Sequence, residues 1–165
     1  MLHDLVIHEQ EAARINSVLR AFMQESGSSE TLLIDRGGQL LATGGLTGSF
    51  DTVSISALAA GAFSSTGAMA QLLGETEFSV LFHEGARQNI HVSTVDTATI
   101  LLAIFDSHTT VGMVRLFARE ASQAIAAVLD DSRARPTRVG ALVAPLGAAE
   151  IGPAFPAPEE QATAQ

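Results

Sequence analysis

A chain of 165 residues, 47% hydrophobic and 16% charged, holds one domain of ordinary size with its own core and leaves no room for a second. Its positive residues are all Arg, nine against 18 carboxylates, and the formal net charge of −9 disfavours binding to a phosphate backbone. Eight Phe with no Trp or Tyr give no stacking platform for bases or sugars, and the absence of Cys excludes disulfides, thiolate metal sites and cysteine catalysis.

The charged share lies below the roughly 25% of ordinary domains, so part of the surface is expected to be covered by protein. Residues 1–10 carry His3, Asp4, His8 and Glu9 and lack the apolar core of a signal segment. No apolar stretch comes near the roughly 18 residues of a bilayer span, so a soluble, cytoplasmic protein without membrane insertion is expected.

Residues 9–23 space Ala12, Ile15, Val18, Leu19 and Phe22 as one face of a helix, which ends near Gly27. Short apolar runs at 31–34 and 39–43 flank Asp35-Arg36-Gly37-Gly38, a hairpin signal. After a Gly-rich loop over 44–49, Asp51 is suited to cap a helix that runs to about Leu73 and stops at Gly74. Three strands are predicted next. Residues 78–83 turn through Glu84-Gly85-Ala86-Arg87 into 89–95, and Asp96-Thr97 turns into 99–105. A last helix over 111–130 carries Val114, Phe117, Ala118, Ala121, Ile125 and Val128 toward a core. The order α-β-β-α-β-β-β-α describes an α+β domain over 1–131, a five-stranded antiparallel sheet flanked by three helices. All five Pro lie at or after Pro136, and residues 132–165 are expected to form a flexible Ala/Pro-rich tail. In that tail Leu142, Val143, Leu146, Ile151 and Phe155 make either a short binding motif or nothing more than a linker.

The central helix is informative because residues 52–74 contain no charge. On a wheel of about 3.6 residues per turn, Ile55, Leu58, Ala59, Ala62, Thr66, Met69, Ala70 and Leu73 form the expected packing face. The opposite face holds Ala57, Ala60, Gly61, Ser64, Gly67, Ala68 and Gln71, where a solvated helix would show Lys, Glu or Arg. Two internal Gly cost roughly 1 kcal/mol each, so something should offset them. Either a second protein surface approaches this face, or the helix is buried on both sides within its own chain.

These segments together resemble the roadblock family. The resemblance rests on Leu33-Ile34-Asp35-Arg36-Gly37-Gly38, on the segment from Ser56 to Glu75 with its helix uncharged up to Gly74, on the run from Phe82 to Asp106, and on a last helix containing Gly112. It covers about 5–129. Residues 5–19, Phe50-Asp51-Thr52 and Leu73-Gly74-Glu75 resemble the bacterial MglB-type members. The resemblance implies a homodimer joined through the third strand, here Glu77, Phe78, Ser79, Val80, Leu81, Phe82 and His83, with central helices side by side. It also implies that the dimer binds a GTP-loaded Ras-like GTPase of the MglA type over those helices, at Ala57, Ala60, Gly61, Ser64, Gly67, Ala68 and Gln71. Such a regulator accelerates GTP hydrolysis by repositioning the partner's switch residues, without an arginine finger and without catalytic residues of its own. A roadblock dimer that only localises other proteins is the alternative, and cell polarity or motility is the process the family suggests.

Other chemistries find little support. Ala68-Met69 stands where a phosphate loop after Gly61 needs Lys and Ser/Thr, so no nucleotide cofactor is expected. His83, Glu84 and His91 lack the spacing of a metal site. Ser64 and Ser65 lack a nucleophile elbow. Arg36 and Arg87 sit at hairpin turns, where they read as solvated side chains, and Arg115 and Arg119 read as surface ion-pair partners.

Overall fold

The computed structural model describes residues 7–45, 48 and 50–134. Eight elements follow the expected order: α1 (Glu9–Ser26), β1 (Glu30–Asp35), β2 (Leu40–Gly45), α2 (Thr52–Leu72), β3 (Val80–His83), β4 (Asn89–Thr94), β5 (Thr99–Phe105) and α3 (Val111–Ala134). The five strands form one sheet in the order β2-β1-β5-β4-β3, antiparallel at every junction. Tight turns explain the β1–β2, β3–β4 and β4–β5 junctions, because short hairpin connections can join only antiparallel neighbours, whereas β1 and β5 meet from distant parts of the chain. In the β1–β2 turn, Gly38 takes φ 93° and donates its N–H to Asp35 O at 3.0 Å, while Gln39 N–H donates to Asp35 Oδ1 at 2.8 Å. A side chain at Gly38 would also meet Ala57 Cα at 3.0 Å, so glycine is required there twice over.

Successive strand residues point to opposite faces, and each face has its own core. On one side Leu33, Leu101, Ala103 and Phe105 pack under Ile15, Leu19 and Phe22 of α1 and Val114, Ala118, Ile125 and Leu129 of α3. On the other side Leu32, Ile34, Val92, Ile100, Leu102 and Ile104 meet α2, whose one large fully buried contribution is Phe63. β5, in the centre, is buried along its whole length. The sheet is thus thickly covered by two helices on one face and thinly by one helix on the other.

Three expectations about extent need correction. α3 runs to Ala134 rather than about 130, because Arg133 bonds both Asp130 Oδ1 (3.3 Å) and Asp96 Oδ2 (2.8 Å) and no proline intervenes before Pro136. The first three residues assigned to the tail therefore continue that helix, and Leu142, Val143, Leu146, Ile151 and Phe155 lie outside the described residues. β3 begins at Val80, so Glu77, Phe78 and Ser79 precede it, although Ser79 O still accepts from Thr94 N–H at 3.0 Å. Finally, α2 is 21 uncharged residues long, which by length and composition alone is enough to cross a bilayer. The expectation that no stretch approaches that limit does not hold.

Candidate docking surface

α2 begins with a strong cap. Val53 and Ser54 donate their N–H groups to Asp51 Oδ1 at 3.0 and 3.1 Å, and the Ser54 hydroxyl donates to Oδ2 at 2.6 Å. The Ser54 side-chain bond, then the backbone bonds, hold the Asp51 carboxyl below its ordinary pKa. At the far end Gly74 N–H donates to Gln71 O and Glu75 N–H to Ala70 O, with Gly74 at φ 79°. This is a Schellman stop, and it satisfies the last carbonyls without any charged side chain.

Between those ends Ser56, Phe63 and Ala70 are buried, with Ile55, Ala59 and Thr66 half-buried beside them. Leu58, Met69 and Leu73, expected on the packing face, are instead exposed at 72, 51 and 73%. Ala60, expected at the centre of the outward face, is 6% exposed. The helix is therefore rotated by roughly 70° from the expected orientation, less than the about 100° step between successive helical residues. The cause is Phe63, the large α2 side chain in the buried cluster that holds Ile34 and Ile100, which turns Ala60 and Gly67 inward with it.

The outward face now carries Val53, Leu58, Met69 and Leu72 among Ala57, Gly61, Ala62, Ser64, Ser65 and Ala68. It is larger and more apolar than the sequence suggested. The hydroxyls of three residues on this helix are spent internally: Ser56 donates to Thr52 O, Ser65 to Gly61 O and Thr66 to Phe63 O, at 2.7 to 2.9 Å. A Cβ added at Gly61 or Gly67 would touch nothing within 4 Å among the described residues, so no contact there requires either glycine.

Beside α2 lies a cleft of ≈ 340 Å³ that gathers Ala60, Ser64, Gly67, Ala68 and Gln71, five of the seven residues expected to dock a partner. Its opposite wall is Arg36 with Glu77. Arg36 Nη2 donates to Glu77 Oε1 at 2.7 Å while its guanidinium lies over the Phe63 ring at 5.3 Å, and Thr94 Oγ1 donates to the same carboxylate oxygen. Burial opposes ionisation of Glu77, but the bonds from Thr94 and Arg36 and the arginine's charge hold its carboxyl below the ordinary value. Arg36, expected as a solvated turn residue, is thus held by contacts. Glu77, expected in the pairing strand, is a clamp that pins the chain beneath α2.

Val80, Leu81, Phe82 and His83 form one edge of the sheet. Since Ser79 pairs with Thr94 through a hydrogen bond, antiparallel alternation turns the N–H and C=O of Val80 and Phe82 away from β4 toward the unpaired edge. His83 pairs with Ile90, which lies on the α2 face, whereas His91 is buried on the other face, so these two imidazoles cannot share an ion. Arg115 and Arg119 make no ion pair among the described residues, contrary to expectation. Pattern reading missed the Arg36–Glu77–Phe63 group because its members are far apart in the chain.

Similarity to known proteins extends over the same elements. The Roadblock/LC7 domain profile matches residues 14–105. Myxococcus xanthus MglB is 33% identical, with a TM-score of 0.73 over 80% of this chain and 98% of that one. The gliding protein MglB of Thermus thermophilus is 30% identical, with a TM-score of 0.72 over 78% and 97%. A structure of MglB with a tetrameric arrangement is 29% identical, with a TM-score of 0.73 over 78% and 97%. A comparison with curated protein sequences finds no match.

Proposed function

The chain belongs to the Roadblock/LC7 family, and from that membership we propose that it is a homodimeric GTPase-activating regulator of an MglA-type, Ras-like small GTPase. The observation that carries the reading is the outward face of α2. It is uncharged from Thr52 to Gly74 and bears exposed Leu and Met side chains. An apolar face of that kind marks a protein contact. The open edge of β3 is the natural seam for a second copy, which would continue the sheet and set two α2 helices side by side.

The regulator acts by binding the GTP-loaded partner and preorganising its switch residues, with every reacting group on the partner. Arg36 supports this division of labour, because its ion pair with Glu77 and its seat on Phe63 commit it to the regulator's own structure. Action in the cytoplasm, on polarity or motility, belongs to the same proposal.

The test is phosphate release by the small GTPase encoded in the same genome, with and without this protein. A large, saturable acceleration is expected, together with its loss in Ala68→Arg, which places a charge on the exposed rim of the cleft while the fold stays intact. Equal stimulation by that variant would move the docking surface elsewhere. Binding that is indifferent to GDP or GTP and leaves the rate unchanged would make the protein a scaffold.

A further inference from the structure

On the face of the sheet away from α2, a second cleft of ≈ 430 Å³ opens between β3–β4 and α3. Its volume lies in the range of small-molecule sites. Inside it His91 is 1% exposed, and neither Nδ1 nor Nε2 has a hydrogen-bond partner among the described residues. The hydroxyls of Ser93 and Ser122, also buried and lining the cleft, are without partners there too. Buried polar groups are ordinarily hydrogen-bonded, and here three such groups belong to residues that line one cleft.

The charges around that space have one sign. Arg115 and Arg119, one turn apart on α3, line the cleft at its exposed side, and neither is paired with a carboxylate among the described residues. Of those residues no Asp or Glu lines it, in a chain whose net charge is −9. Two guanidiniums on residues lining the same cleft as an imidazole and two hydroxyls make up a donor set for oxygen acceptors.

We propose that this cleft binds a small dissolved oxyanion, a phosphate or carboxylate compound, with Arg115 and Arg119 supplying charge and His91, Ser93 and Ser122 supplying hydrogen bonds. The site lies on the opposite side of the sheet from the α2 surface and does not depend on the GTPase reading.

The ring nitrogens of His91 report occupancy directly. In an NMR titration of the full chain at neutral pH and constant ionic strength, inorganic phosphate or citrate should shift the His91 ring nitrogens saturably. The exposed His83 and His108 should stay fixed. The anion giving the stronger response identifies the class. The double variant Arg115→Gln, Arg119→Gln changes only exposed side chains and should weaken that response about tenfold or more. No shift with either anion, parallel shifts of all three histidines, or unchanged affinity in the double variant would overturn the site. So would a response confined to phosphatidylserine vesicles, which would transfer the chemistry to a membrane headgroup.

Discussion

At the scale of single residues, burying an ionisable group ties stability to pH, and His91 makes that tie here. Desolvation, and then the charge of Arg115, push its pKa down from 6.5 to about 4. Between those values the unfolded chain binds a proton that the folded chain refuses. Stability is therefore full above about pH 6.5 and falls as pH drops toward 4, by about 3 kcal/mol in total. Asp51, Glu77, Asp96 and Asp106, whose carboxyls are held below their ordinary values, lose their contributions at still lower pH. Urea melts of the parent and of His91→Leu, in a phosphate-free buffer, should show the parent losing stability from pH 6.5 to 4.5 and the variant losing far less. Parallel curves would mean that His91 is hydrated and free to ionise. The sequence offered His91 only as a loosely placed histidine near a turn. Its burial depends on α3 crossing β4, which no spacing near residue 91 encodes.

At the scale of elements, α2 shows what small-residue composition leaves undetermined. Its existence, its Asp51 cap and its Gly74 stop were legible, because capping and termination are local chemistry. Its rotation was not. A helix with Ala, Gly and Ser on every side has no polar pole, so a wheel cannot orient it, and a single Phe decides. The outward glycines give a direct test. Gly61→Ala should raise the stability of the isolated chain by about 0.5–1 kcal/mol, since the added methyl meets nothing and the helix gains propensity. The same variant should weaken dimer or GTPase binding if close helix approach uses that position. Denaturant titration and a binding assay on one preparation separate the two effects, and a gain in stability with unchanged binding would place the contact away from Gly61.

At the scale of the whole molecule, across the described residues, two helices cover one face of the sheet and one helix the other, and β3 lies at a sheet edge with no strand paired beyond it among them. The proposed dimer would use that asymmetry. Val80 is the first residue of β3 and turns its N–H to the open edge, so proline is tolerated there by the chain itself but removes a donor from any strand added alongside. Val80→Pro should therefore keep the circular dichroism spectrum of the parent and sediment as a monomer where the parent sediments as a dimer. A variant that still dimerises would put the seam at α2 or at the β2 edge.

Periodicity, turn chemistry and capping residues are local signals, and from them the amino-acid order by itself determined the eight elements, the three hairpin pairings and the charge-free central helix, while the β1–β5 pairing at the sheet centre is long-range. Each local feature depends on residues within a few positions of one another, where backbone geometry admits few alternatives. The tertiary structure alone decided which side of α2 faces out, that Arg36 and Glu77 clamp the segment beneath it across 41 positions, and that His91, Ser93, Arg115 and Ser122 share one cleft. Those outcomes turn on how side chains distant in the chain fill a common volume, and close packing settles that only once every layer is in place.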